Sequence, residues 1–290
     1  MKRVWYAAIW LGMVVLAAQV LTVQPAAAAT IPAGSIEVKT VLSPFSLVNK
    51  SQRVNCSPGK VPLGGGAQTS GGQHLIITEA RPISDAAGAG FVVTVQVDQI
   101  GVTAPWAVST FVSCAVAPPG YEVITQVNPP TTRPSDSVLA NCSPGKNVIG
   151  SGGQLIGAHG QLDLTMGPNH LNGVASGVGA EAAKDDFSVA PTDPYQVASY
   201  AICARENRLF DFLVVENQTS NDAAAQKKVT TTCPSGYQAT GGAISSVGFG
   251  AHLLFFRPNV TSSPVSFDFA ASAPPGFGVW NLAGIVHCTR

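Results

Sequence analysis

The chain has 290 residues, six cysteines and only 11% charged residues, with 16 basic against 16 acidic side chains. It carries no basic stripe of the kind a nucleic-acid binder shows and no polybasic run for an anionic membrane; Lys227-Lys228 is too short to count. A partner recognised by bulk charge is therefore disfavoured.

The first element is a processing segment. Lys2 and Arg3 precede an apolar run from Val4 to Val20, and Pro25 leads into Ala26-Ala27-Ala28-Ala29. This is the pattern of a signal peptide, residues 1–29, cleaved after Ala28 or Ala29. An uncleaved anchor is the competing reading, because the run could nearly span a bilayer, but the small-residue site favours cleavage. The expected mature protein is secreted and extracellular, with no membrane insertion after cleavage.

Three repeats follow, over 30–118, 119–206 and 207–290. Each opens on a strand-like run: Ile36 to Val41, Tyr121 to Ile124, and Phe210 to Val215. Each then shows a cysteine with glycine three and eight positions later. These are Cys56-Ser57-Pro58-Gly59 with Gly64-Gly65-Gly66, Cys142-Ser143-Pro144-Gly145 with Gly150-Ser151-Gly152, and Cys233-Pro234-Ser235-Gly236 with Gly241-Gly242-Ala243. Each closes on an aromatic residue eight positions before a second cysteine: Trp106/Cys114, Tyr195/Cys203 and Trp280/Cys288. Between these marks lie strand patterns such as Val92 to Val97 and Val265 to Phe269, with Pro, Gly, Ser and Asn as punctuation. Ala180 to Asp185 is the best helical candidate, a turn and a half in a loop peculiar to the second repeat.

The motif has local physical meaning. Pro58-Gly59 suits the central positions of a type II turn, where glycine takes the positive φ. Glycines in mid-strand cost stability, so three parallel occurrences imply a bend or a close backbone approach. Of the fifteen pairings open to six cysteines, the repeat favours Cys56–Cys114, Cys142–Cys203 and Cys233–Cys288, each worth about 4 kcal/mol by chain-entropy reasoning. Residues two apart share a strand face. Trp106, Val108, Thr110, Val112 and Cys114 therefore lie on one face, as do Tyr195 to Cys203 and Trp280 to Cys288 by the same count. If that face is buried, the aromatic is a core anchor beside the disulfide; if exposed, it is a sugar-stacking platform repeated three times.

These residues also resemble a known pattern. The Cys-Pro-x-Gly turn, the Gly-Gly-Gly strand and the closing aromatic-to-Cys strand resemble β repeats of secreted actinobacterial proteins, units that also cap some bacterial collagen-like chains; that resemblance implies no established activity. The chain is similar, more distantly, to the vitelline membrane outer layer protein I family, which implies a three-fold β-prism facing carbohydrate. The cysteine separation here is longer, and Cys-Ser-Pro-Gly replaces Cys-Pro-x-Gly in two repeats.

Chemistry is sparse. His74, His159 and His252 occupy comparable Gly-rich turns, and three converging imidazoles would suit zinc or copper; their alignment slips by a residue or two, and solvated histidines are the simpler reading. There is no Gly-x-Ser-x-Gly elbow, His-Glu-x-x-His or Walker sequence. Gly177 to Ala182 mimics a dinucleotide loop without its strand–turn–helix context. Asp185-Asp186 is half a carboxylate pair at most, because adjacent strand residues point apart. Arg81-Pro82 and Arg257-Pro258 take equivalent places, with Gly167-Pro168 between them. The prolines are expected to end their strands, and the arginines to be exposed strand-end charges or rim donors to a ligand hydroxyl or carboxylate.

The expected fold is all-β, with three homologous disulfide-stapled repeats. They either close in a pseudo-three-fold, prism-like arrangement or stand as three tandem small β-sandwiches. The expected function is non-enzymatic binding, of lectin type, to an extracellular glycan or cell-envelope polymer through repeated shallow sites. A structural component of a cell or spore surface is the alternative, and a secreted hydrolase the third reading. No catalytic residue and no cofactor is assigned.

Overall fold

In a computed structural model of the chain, the cysteine-glycine turns recur with the same geometry. Gly59, Gly145 and Gly236 have φ of 80°, 75° and 85°. In each turn the backbone N–H after the glycine donates back across it, Lys60 to Ser57, Lys146 to Ser143 and Tyr237 to Pro234, at 3.0–3.1 Å. The third turn carries proline one position early and survives because its glycine has not moved.

The structure describes residues 35–290 apart from 72–73, 158–159, 172–173, 185–192, 206–210, 248–250, 260–264, 274–275 and 277. The expected signal peptide, His159 and Asp185-Asp186 lie outside the described residues. The first repeat contributes β1 (Glu37–Leu42), β2 (Lys50–Asn55), β3 (Lys60–Thr69), β4 (Leu75–Asp85), β5 (Gly88–Val97) and β6 (Val108–Val116). The second contributes β7 (Glu122–Val127), β8 (Ser135–Asn141), β9 (Asn147–Ile156), β10 (Leu162–Leu171), β11 (Val174–Lys184) and β12 (Gln196–Ala204). The third contributes β13 (Phe212–Gln218), β14 (Gln226–Thr232), β15 (Gln238–Val247), β16 (His252–Pro258), β17 (Ser266–Ser272) and β18 (Asn281–Thr289). Among the described residues there is no helix. Ala180 to Lys184, expected as a helical turn, lies in β11, where Val174 to Lys184 pairs with β10 along its length. Pairing on both sides overrides the helix propensity of alanine.

The strands form three six-stranded sheets, ordered β1-β6-β3-β16-β17-β14, β13-β18-β15-β10-β11-β8, and β2-β5-β4-β9-β12-β7. Each sheet takes three strands from one repeat and three from another. The seams where the halves meet are short: Glu79↔Gln154 and Ala80↔Gly153, Met166↔Ile244 alone, and Phe255↔Gln68 with Phe256↔Ala67. Pro82, Pro168 and Pro258 each stand two residues past the last seam pair of their strand. The expectation that proline ends the strand holds at Pro258 only; β4 and β10 run on through Pro82 and Pro168, paired on the outer side to β5 and β11. Proline thus sits where the ladder across the seam has stopped.

The glycine strands β3, β9 and β15 meet one another. A Cβ on Gly64 would lie 2.6 Å from the Gly241 Cα, and one on Gly150 would lie 1.9 Å from the Leu63 carbonyl oxygen. Thr240 donates its hydroxyl to the Ile149 carbonyl at 2.8 Å. Only glycine lets three backbones approach this closely. Leu63, Ile149, Ile202, Ala115, Ala204 and Phe212 pack around the meeting point as one apolar cluster.

Disulfides join Cys56 to Cys114, Cys142 to Cys203 and Cys233 to Cys288, across separations of 58, 61 and 55 residues. Each first cysteine follows a strand of one sheet and each second lies in a strand of another, so the three bonds link all three pairs of sheets. The cysteine face is the inner one. Trp106, Tyr195 and Trp280 are 1%, 0% and 0% exposed, which removes the sugar-platform reading of these rings. Each also bridges by backbone to the loop after the opening strand, at Ser46, Thr131 and Asp222. Beneath the tryptophans lie two buried lysines, with Lys50 Nζ 4.7 Å from the Trp106 ring centroid and Lys227 Nζ 5.2 Å from that of Trp280. The second repeat has Asp136 at that position and a tyrosine in place of tryptophan. Tyr195 donates to the Arg133 carbonyl at 3.0 Å, and Asp136 accepts from Asn128. Ring and partner change together, as expected where a cation suits an indole face and a carboxylate does not.

Candidate functional site

The seam between β4 and β9 opens into a groove once its ladder stops at Ala80. Arg81, Pro82, Ile83, Ser84 and Asp85 of β4 form one wall, Val123, Thr125 and Tyr200 of β7 and β12 the other, and Tyr121 and Pro62 close the end. Its volume is roughly 420 Å³, within the ordinary range of small-ligand sites. Gly152 makes the approach possible, since a Cβ there would sit 2.8 Å from the Arg81 Cα and 2.9 Å from Pro82 Cδ.

Arg81 is the central side chain. Its Nε donates to Glu79 Oε1 at 2.7 Å, and its guanidinium carbon lies 5.2 Å from the Tyr200 ring centroid. Glu79 is itself fixed, accepting from Thr94 Oγ1 on its other oxygen. The guanidinium is therefore held by a carboxylate and an aromatic face, with its terminal nitrogens toward the groove wall formed by Pro82, whose carbonyl lies 3.5 Å from Nη1. Tyr200 donates to Gln154 Oε1 at 2.9 Å and Tyr121 to the Pro62 carbonyl at 2.8 Å. Burial pushes both phenols above their ordinary range, although Arg81 partly offsets this at Tyr200, so both stay neutral. Asp85 accepts a two-pronged hydrogen bond from Arg53, at 2.7 and 2.9 Å, and another from the Ala87 N–H. The hydrogen bond from Arg53 holds its carboxyl below the ordinary range, and the Ala87 N–H adds to this.

The equivalent seams are chemically different. Between β10 and β15 the arginine position is Gly167 and the tyrosine position is Ile285. That groove is smaller, roughly 270 Å³, and is lined by Glu181, Glu216, Ser137 and Thr165. Between β16 and β3, Arg257 donates Nη1 to Gln68 Oε1 at 2.6 Å and lies 5.1 Å from the Phe255 ring centroid. Phe111 is the residue there that corresponds to Tyr200. Of the two arginines singled out from the sequence, only Arg81 is paired with a groove tyrosine. Tyr200 and Tyr121 are the groove residues that sequence reasoning missed. The available signal was parity: three positions before each closing cysteine stands Phe111, Tyr200 or Ile285, on the face opposite the disulfide.

His74 and His252 each face a different carboxylate. His74 has φ of 77°, and its Nδ1 lies 2.7 Å from Asp98 Oδ2, while the Asp98 N–H donates to the His74 carbonyl at 3.0 Å. Asp98 also caps its own loop, accepting from the Ile100 and Gly101 N–H groups at 2.8 and 3.0 Å. This clasp closes the open end of the β4–β5 hairpin beside a cleft of roughly 500 Å³, walled largely by residues 100–106. His252 is buried with Nδ1 3.1 Å from Asp163 Oδ1, a contact between repeats. Among the described residues no group of three or more His, Cys, Asp or Glu side chains is placed to hold a metal ion.

No protein-family model matches the chain, and no curated protein matches it.

Proposed function

We propose that the chain is a secreted, non-enzymatic binding protein whose ligand, an extracellular glycan or cell-envelope polymer, lies in the Arg81–Tyr200 groove. The observation that carries this reading is the guanidinium held in place by Glu79 and the Tyr200 ring at the mouth of an open seam. Planar polar groups on an aromatic bed, fixed before the ligand arrives, lower the ordering cost of binding hydroxyl-rich ligands. On this reading the protein is exported by residues 1–29, and the three disulfides suit an oxidising exterior.

The same reading closes the three repeats about a pseudo-three-fold axis in a prism-like arrangement. Sheet sharing between repeats and the meeting of β3, β9 and β15 support it against three independent tandem sandwiches.

The test is a glycan array probed with the mature chain, its start confirmed by N-terminal sequencing of exported protein. Retained binding by wild type and lost binding by Arg81→Ala and Tyr200→Ala, each still folded, is the expected result. A second reading, a structural component of the cell or spore surface, is favoured by the burial of Trp106, Tyr195 and Trp280 beside the disulfides. It predicts no saturable glycan binding and retention of the chain in the salt-washed surface fraction.

A further inference from the structure

Resting on the binding reading above, we infer that the groove selects a neutral, polyhydroxylated saccharide and excludes uronate- or phosphate-bearing polymers, with one such site per chain. Every formal charge at the groove already has a counter-charge inside the protein. Arg81 is paired with Glu79 at 2.7 Å, and Glu79 is largely shielded from solvent. Asp85 is paired with Arg53 at 2.7 Å. The two phenols are neutral, and the remaining walls are Val, Pro, Ile, Ala, Ser and Thr. A ligand carboxylate or phosphate would find no uncompensated cation. Drawing Arg81 toward itself would place it beside Glu79, a like charge at short range.

Sugar hydroxyls face no such conflict, because each both donates and accepts. Arg81 offers donors in a fixed plane; Ser84, Thr125 and the Asp85 carboxylate offer acceptors; Pro62, Pro82 and Val123 offer apolar surface for a ring face. The pairing with Glu79 therefore serves to aim the guanidinium rather than to attract an anion.

The single-site part follows from the other two seams. Gly167 and Ile285 replace the arginine and tyrosine in one, where Glu181 and Glu216 line the groove. In the other, Arg257 is tied to Gln68 and lies over Phe255. The position repeats three times, but the arrangement of Arg81 and Tyr200 occurs once.

Calorimetric titration of the mature chain with neutral oligosaccharides, uronate oligosaccharides and a phosphate-linked envelope polymer, each at low and high salt, tests this. Neutral oligosaccharides should bind at one per chain, with affinity shifting less than about twofold between the salts. Arg81→Ala should abolish binding, and Arg81→Lys should fail to restore it, because a point charge lacks the planar fork; Thr125→Val, at the opposite wall, should weaken it several-fold. Acidic ligands that bind and lose about tenfold or more at high salt would overturn neutrality while leaving the groove a binding site. Three equivalents of neutral ligand would overturn the single site. No binding by either class would remove the inference together with the binding reading on which it rests.

Discussion

The two faces of the closing strands β6, β12 and β18 carry opposite lessons. On the inner face the three strands repeat one device, a buried aromatic ring, a run of small or aliphatic residues with Thr110 in the first strand, and a cysteine bonded to another sheet. On the outer face the same strands present Phe111, Tyr200 and Ile285, and the seams beside them have drifted into three chemistries. Where repeats agree, the shared constraint is packing, since each unit must fill the same interior. Where they differ, each side chain answers to its own seam: Phe111 and Ile285 are buried there, while Tyr200 lines the open groove.

The largest break in this comparison is expected on the inner face. Trp280→Ala should cost about 3–5 kcal/mol, read as a fall in the denaturant midpoint, and Trp106→Ala a similar amount. Loss of one disulfide, as in Cys233→Ala/Cys288→Ala, should cost about 2–5 kcal/mol in the same assay. Gly150→Ala comes next, because its new Cβ would meet the Leu63 backbone carbonyl rather than a flexible side chain. About 1–3 kcal/mol is expected, with exchange protection lost in β3 and β9. The outer face should behave otherwise. Tyr200→Ala and Arg81→Ala should cost less than the inner-face rings, about 1–3 kcal/mol, because the groove is open on one side; Arg81→Ala leaves the largely shielded Glu79 without its cation, and Tyr200→Ala removes a half-buried ring.

The smallest effect sharpens a contrast between repeats. In the first two, a carboxylate ties the cysteine turn to the opening strand. Glu37 accepts from Ser57 Oγ at 2.7 Å and Lys60 Nζ at 2.9 Å; Glu122 accepts from the Ser143 N–H at 3.0 Å and from Lys146. In the third, Tyr237 replaces the lysine and donates to Asp211 at 2.5 Å. Burial tends to raise both glutamates, but hydrogen bonds from Ser57 and Lys60, and from Lys146 and Ser143, outweigh it and leave them below their ordinary value. A depressed carboxylate adds stability that is fully present above the unfolded pKa and is lost as pH falls through the folded one. Thermal stability should therefore decline below about pH 4.5. Glu37→Gln/Glu122→Gln should flatten that decline while costing roughly 1 kcal/mol or less at neutral pH. An unchanged acid limb in the double variant would show that these pairs contribute nothing.

Features set by neighbours in the chain were readable from the sequence. The cysteine turns follow from a glycine at a fixed offset, and the inner face follows from counting back by twos from each cysteine. Features set by distant pairing were not. Nothing local tells β4 to pair with β9 of the next repeat, so the seam, its early end at Ala80 and the groove beyond it were invisible. Pro82 and Pro168 looked like strand ends because proline removes a donor, yet the donor is not needed once the seam has stopped. Ala180 to Lys184 looked helical because alanine propensity is local while the β10 and β8 ladders on either side are not. Arg81 was legible as a repeated position, but its partner Tyr200 lies 119 residues away and met it only through the fold.

The most direct test of the division between an inner folding face and an outer binding groove is hydrogen exchange of the mature chain with and without a saturating neutral oligosaccharide. Added protection is expected at residues 79–85, 121–125 and 198–201 alone, with β15, β18 and the 100–106 loop unchanged. Protection centred on the Glu181–Glu216 groove or on the cleft beside His74, with none at Arg81 and Tyr200, would contradict it.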